Sequence, residues 1–242
     1  PQSLINEIQY HTKDYDAALP PAAYTLTTQV NNSGVYSFCM CPGGVIVPAS
    51  TDPTAVVVNG MSNAKRNGPF ANAGIVTAIH PGTSNRHAKY GALSGLVMQE
   101  QLERAMQVGG ENTQYAPAQL LTDFLAKKIS DRLPVNSYKP GAITAPLHQL
   151  LPIDIFQNLA AGIQQFNKKM KGFITREAIV FGVESRTSSP VRIIRDKETL
   201  THPQLTNLYP CGEGAGYAGG IVSSAVDGDN VAKAIAQSGV HS

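Results

Sequence analysis

The chain has 242 residues, 42% of them apolar and only 15% charged, against about 25% charged in an average globular chain. The 19 Lys and Arg against 17 Asp and Glu leave a net charge of +2, too balanced for a nucleic-acid footprint. No run reaches the roughly 18 to 20 uninterrupted apolar residues of a membrane span. A charge-rich disordered tail is excluded as well, so the composition is that of a soluble globular protein with a sizeable core.

Residues 1–33 are polar and mixed, broken at Pro20-Pro21, and the alternating stretch Tyr24–Val30 predicts a strand. Asn31-Asn32-Ser33-Gly34 turns the chain into a second strand, Val35–Cys41. Pro42-Gly43-Gly44 suits a type II turn, so Val45–Val47 is expected to return as a hairpin partner. Further strands are predicted at Ala55–Val58, ended by Asn59-Gly60, and at Gly74–Ile79.

The period then changes. Tyr90–Val108 reads as a helix stopped by Gly109-Gly110, Ala118–Ile129 as a shorter one, and Pro152–Met170 as the clearest. In the last, Phe156, Leu159, Ala160, Ile163, Phe166 and Met170 form one apolar stripe, and Lys168-Lys169-Lys171 complements the dipole before Gly172. Ala178–Phe181 restarts a strand, and Leu208–Ala236 reads as short strand, glycine-rich turn and helix. Strands cluster first and helices second, which predicts a mixed α/β fold leaning to α+β, with a largely antiparallel sheet.

The three cysteines are odd in number and sparse, and Cys39 and Cys41 are too close in a strand to reach disulfide geometry easily. A reducing cytoplasm is the expected compartment. The chain opens Pro1-Gln2-Ser3, with no signal peptide and no methionine, and is expected to be a piece of something longer.

Among candidate chemistries, the turn Cys211-Gly212-Glu213-Gly214-Ala215-Gly216-Tyr217-Ala218-Gly219-Gly220 is the most informative. Gly214, Gly216 and Gly219 satisfy G-x-G-x-x-G, but only 23 residues follow Gly219, so no second strand with its acidic residue can follow. This is not a first Rossmann unit. Glycines without Cβ still let a ligand approach the backbone, and a helix starting near Gly220-Ile221 offers unpaired N–H groups to an anion. Glu213 could accept hydrogen bonds from a sugar or polyol. A close-packed turn, with glycines only letting helix and strand touch, is the alternative at this point.

Cys39, Cys41 and Ser37 would share one face of a regular strand, which admits thiol or metal chemistry, but no third cysteine or histidine falls at ligand spacing. The six histidines, His11, His80, His87, His148, His202 and His241, are scattered. Gly60-Met61-Ser62 loosely matches a hydrolase elbow, yet Asn67-Gly68-Pro69 breaks the helix such an elbow needs. Asp227-Gly228-Asp229 falls inside the last helix, where a solvated face is expected rather than a metal pair. Glu184–Arg192, dense in hydroxyls and guanidiniums, is either an anion site or a solvated loop.

Five segments occur in order: Ser37–Gly44, Asn59-Gly60-Met61-Ser62 with Arg66, Ala116–Gln119, Arg186–Arg192 and Gly212–Ile221. Together they resemble the bacterial NAD(FAD)-utilizing or FAD-dependent dehydrogenases, relatives of the flavoproteins with two dinucleotide-binding domains, over essentially the whole chain. The resemblance implies an N-terminal Rossmann-type domain holding the ADP half of FAD, a substrate or cap domain, and a final strand–turn–helix over the flavin. The first of these is missing, so the chain is expected to be the C-terminal part of a flavoenzyme and to hold FAD weakly or not at all by itself. Residues 1–200 would form the substrate or cap domain and 201–242 the returning segment, with the absent FAD domain as partner. The resemblance implies flavin contacts from Gly212, Glu213, Gly214, Ala215, Gly219, Gly220 and Ile221. Arg66, Arg186 and Arg192 are weaker candidates for an anionic small-molecule substrate, and Cys39 and Cys41 for thiol chemistry near the flavin. NAD(P)H is a candidate hydride donor, and no catalytic acid or base is assigned. Two other classes stay open: a non-catalytic ligand-binding or interaction module, and a thiol or metal protein built on Cys39 and Cys41.

Overall fold

The computed structural model describes residues 1–13, 19–79 and 85–239; His80 and His241 lie outside them. The chain is α+β and divides into two compact units, one of Pro1–Thr83 and Glu100–Glu184, the other of Ser84–Gln99 and Ser185–Ser242.

The first unit opens with α1 (Gln2–Tyr10) and an antiparallel sheet of β1 (Thr27–Val30), β2 (Ser33–Cys41) and β5 (Asn72–Thr77), in the order β1-β2-β5. Val30 pairs with Ser33 across Asn31-Asn32, and both asparagines have positive φ, 49° and 62°. That is the backbone a two-residue hairpin turn demands, and Asn adopts it more readily than most residues.

The hairpin expected between Val35–Cys41 and Val45–Val47 does not form. β2 takes β1 and β5 as neighbours, and β3 (Val45–Pro48) pairs instead with β4 (Val58–Met61). The Pro42-Gly43 turn therefore hands the chain from one sheet to another. Pairing with β3 also moves the predicted Ala55–Val58 strand onward, so that Asn59 and Gly60 lie inside β4, while Ala55, Val56 and Val57 are buried just before it.

A third sheet runs β7-β6-β8, with β6 (Ala116–Leu120) parallel to β7 (Ala142–Thr144) and antiparallel to β8 (Ile179–Phe181). Here the predicted helix at Ala118–Ile129 is corrected: residues 116–120 are a buried central strand, and the helix α3 covers only Leu121–Ala126. A short strand covered on both faces carries no alternation, so its pattern cannot be told from a buried helix. The strand is held by pairing far along the chain and by side chains, with Leu120 N–H donating to Ser130 Oγ at 2.8 Å and Gln119 meeting His148 Nδ1 at 3.0 Å.

The helix read most clearly is the one that organises this unit. α5 (Ile153–Lys169) starts after Pro152 and carries Asp154 in its first turn and Lys168 and Lys169 in its last, both favourable to its dipole. Phe166 joins Leu26, Val35 and Met170 in one core cluster, and Phe156 and Ile163 join Val58, Met106, Phe124 and Leu147 in another. Gly162 lets the helix lie close on the first sheet, since a Cβ there would sit 2.5 Å from Val35 Cγ1. The short α4 (Leu147–Leu150) precedes it.

α2 (Ser94–Gly109) follows a 3-10 stretch and stops at the predicted glycines, with Gly110 N–H donating to the Met106 carbonyl at 2.9 Å. The division between units falls within it, between Gln99 and Glu100. In the second unit the strand expected at Leu208 is absent among the described residues: the segment is turns with one isolated bridge, His202 to Leu205, leading to the predicted helix α6 (Ile221–Gly239). No helix among the described residues is long and apolar enough to cross a membrane.

Candidate functional site

The glycine-rich turn of the second unit is built around one ion pair. Asp227, on α6, accepts from the Arg195 guanidinium at 2.6 and 3.0 Å and from the Gly212 N–H at 2.8 Å. The same guanidinium donates to the Pro210 carbonyl at 2.7 Å and lies 3.7 Å from the centre of the Tyr217 ring. Asp227 and Arg195 are only 13% and 10% exposed, so the pair is fixed rather than solvated. Hydrogen bonding from Arg195 holds the Asp227 carboxyl down to about 2. The solvated face expected for Asp227-Gly228-Asp229 is thus corrected at Asp227, whose ion pair pins α6 to the start of the turn.

The loop after Ser185 closes on the turn from its other side. Ser189 Oγ donates to the Gly214 carbonyl at 3.2 Å, Arg192 Nε to the Gly216 carbonyl at 2.9 Å, and Ile193 N–H to the Ala215 carbonyl at 3.1 Å. Two segments singled out separately in the sequence meet here. Arg192 spends its guanidinium on this scaffold and on the Tyr217 ring, 5.1 Å away, while Arg186 lies exposed on the same loop.

The glycines of the turn divide into two kinds. Gly216 is required by the chain itself, having φ of 83° and no room for a Cβ, which would lie 2.6 Å from the Val191 carbonyl oxygen. Gly214 and Gly219 are different, because a Cβ at either would meet nothing within 4 Å, and at Gly220 the nearest atom would be Ser223 Oγ at 3.7 Å. Packing among the described residues does not explain these three. Glu213 is half-buried, and among the described residues its carboxylate has no hydrogen bond or ion pair. Past Gly220, the first intrahelical bond runs from Ser224 N–H to the Gly220 carbonyl, which leaves the N–H groups of Ile221, Val222 and Ser223 to outside acceptors. Ile221 and Val222 are 89% and 76% exposed. The turn is a cradle braced by hydrogen bonds, with a bare backbone, an available carboxylate and a helix N-terminus, a combination suited to a polyhydroxylated anion.

The remaining candidates lie in the first unit. β2 carries an extra residue between Phe38 and Cys41, with Cys39 at φ 44°. The bulge breaks the alternation that would have put Cys39 and Cys41 on one face. Cys39 is exposed, and the Cys41 thiol donates to the Cys39 carbonyl at 3.3 Å. Burial pushes the Cys41 thiol up, with Ser62, Glu184 and Arg66 as its polar neighbours, which disfavours the thiolate that nucleophilic or metal chemistry requires. No group of three or more His, Cys, Asp or Glu among the described residues is placed to hold a metal ion. Arg66 is exposed in the loop after β4.

Of the residues that hold the cradle, Arg195 drew no notice in the sequence, and Asp227 and Tyr217 were noted without this role. Arg195 and Asp227 are 32 positions apart, and no local spacing signals a pair at that distance. A basic residue upstream of a glycine turn and an acidic one inside the following helix were the only trace.

Residues 1–187 match the model of the family described as "FAD-dependent protein, C-terminal domain-like". The chain belongs to that family of FAD-dependent proteins. An "Uncharacterized protein" of Clostridium beijerinckii is 41% identical over 240 residues, which cover 97% of this chain and 44% of that protein. The chain therefore spans less than half the length of this relative. The family match ends before the glycine turn, so the role of the turn rests on its own geometry.

Proposed function

We propose that the chain is the C-terminal part of an FAD-dependent oxidoreductase of the NAD(FAD)-utilizing dehydrogenase type. Residues 1–200 act as its substrate or cap domain and residues 201–242 as the segment that returns to its FAD-binding domain. The observation that carries the reading is the clearance at Gly214 and Gly219, where bare backbone faces space that this chain does not fill. Glu213 fits the hydroxyls of the ribityl chain or ribose, and the first N–H groups of α6 fit a pyrophosphate oxygen. Ala215 and Gly216 carry the hydrogen bonds that keep the turn in shape. The exposed Ile221 and Val222 supply an apolar edge for the isoalloxazine or for the FAD domain.

A bound flavin supplies hydride transfer, and the protein supplies binding and orientation. By this reading the exposed Arg66 and Arg186 are candidates to meet an anionic substrate, while the Arg192 guanidinium is committed to the turn. NAD(P)H is a candidate donor. Three free cysteines fit a reducing, cytoplasmic setting.

The test is Glu213→Ala and Gly219→Val in the longer polypeptide that carries this chain. Gly219 faces open space and the Glu213 carboxylate has no hydrogen bond or ion pair among the described residues, so both variants should keep the fold and lower flavin affinity by about tenfold or more, the cost of a lost charged hydrogen bond or of crowded backbone. Unchanged flavin affinity with an intact fold would return the turn to a structural role.

A further inference from the structure

The first unit holds a second site, independent of the flavin reading. A partly open cavity of about 400 Å³ lies among α1, β3–β5, α3–α5 and β8, a volume typical of small-molecule pockets. Its walls are mostly apolar, with Ile46, Leu147, Leu151 and Phe173 among them, and its polar lining residues include Asn72 and Glu184.

Asn72 and Gly74 are two positions apart on β5, so their side-chain positions fall on one face, about 7 Å apart along the strand. The Glu184 carboxylate occupies the space that a Cβ on Gly74 would need, which puts it on the same face as the Asn72 amide. Neither group has a hydrogen bond to the protein there, although the Glu184 side chain is only half-buried. Asn72 Nδ2 is buried with no hydrogen-bond partner, and among the described residues the Glu184 carboxylate has no hydrogen bond or ion pair. Arg176 also lines the cavity but is exposed and does not pair with it. Burial raises the pKa of Glu184.

A buried amide donor left open costs stability that a ligand can recover, and a half-buried carboxylate on the same face of a mostly apolar cavity offers that ligand an acceptor. A hydroxyl group meets both needs, donating to the carboxylate and accepting from the amide. We propose that this cavity binds a compact, mainly apolar molecule through a single hydroxyl held between Glu184 and Asn72. Glycine at position 74 is what admits the carboxylate to that face.

The experiment uses the full 242-residue chain with labelled methyl groups, titrated by NMR with 4-ethylphenol and with its methyl ether, 4-ethylanisole. The phenol should shift the methyl signals of Ile46 and Leu151 and bind about tenfold tighter than the ether, the worth of a hydrogen bond to a charged group. In Glu184→Leu the two probes should bind within about twofold of each other. The wild-type comparison stands without the variant if the variant misfolds. The proposal is overturned if the phenol leaves those methyl signals unmoved at millimolar concentration, if wild type does not distinguish the probes, or if a folded Glu184→Leu keeps the preference.

Discussion

Asp227 accepts three hydrogen bonds, two from Arg195 and one from the Gly212 N–H, and so couples α6, the loop after Ser185 and the glycine turn through one carboxylate. Removing a charge from a largely buried pair leaves its partner uncompensated. Asp227→Asn is expected to destabilise the second unit by about 2 kcal/mol at neutral pH, measured by chemical denaturation. The pH dependence has a definite sign. The carboxyl titrates at about 2 in the folded chain against an ordinary value of 3.8, so the unfolded chain takes up its proton first. The contribution is complete above about pH 4 and is lost as the pH falls toward 2. The asparagine variant should lack this component of acid sensitivity. Equal stability of the two proteins at neutral pH would remove the ion pair from the account of the turn.

Among the elements, α5 was legible from sequence because its apolar residues recur at helical spacing for more than four turns and its ends carry their own signals. β6 was not, because a five-residue strand buried on both faces owes its existence to β7 and β8, and no property of Ala116–Leu120 announces partners that distant. The same limit explains β2 and β3, where the turn was read but not the choice of neighbour. The bulge at Cys39 could not be read either, since it follows from register against β5. Gly162 shows how tightly α5 and β2 are fitted. Gly162→Val would force branched carbons against Val35, which is fully buried, and should cost about 1–3 kcal/mol through overpacking. Thermal denaturation checks this; an unchanged melting temperature would mean the helix can move away from the sheet without penalty.

At the scale of the molecule, the glycine turn was visible in the sequence and its scaffold was not. Five glycines in the ten residues 211–220 mark a turn by composition, while Arg195 and Asp227 become meaningful only when folding brings them together. The first unit behaves similarly: Cys41 and Arg66 drew notice as unusual residues, but the meeting of Asn72 and Glu184 at one cavity depends on three-dimensional placement. The family match covers residues 1–187, and the relative from Clostridium beijerinckii is more than twice as long as the aligned segment, which fits a chain that works within a larger flavoprotein. The measurement that tests this most directly is flavin absorbance at about 450 nm after desalting, on the longer polypeptide and on the 242-residue chain side by side. About one FAD per longer polypeptide and a colourless 242-residue chain are expected. A longer polypeptide that folds but stays colourless, or a 242-residue chain that retains the flavin band by itself, would contradict this reading.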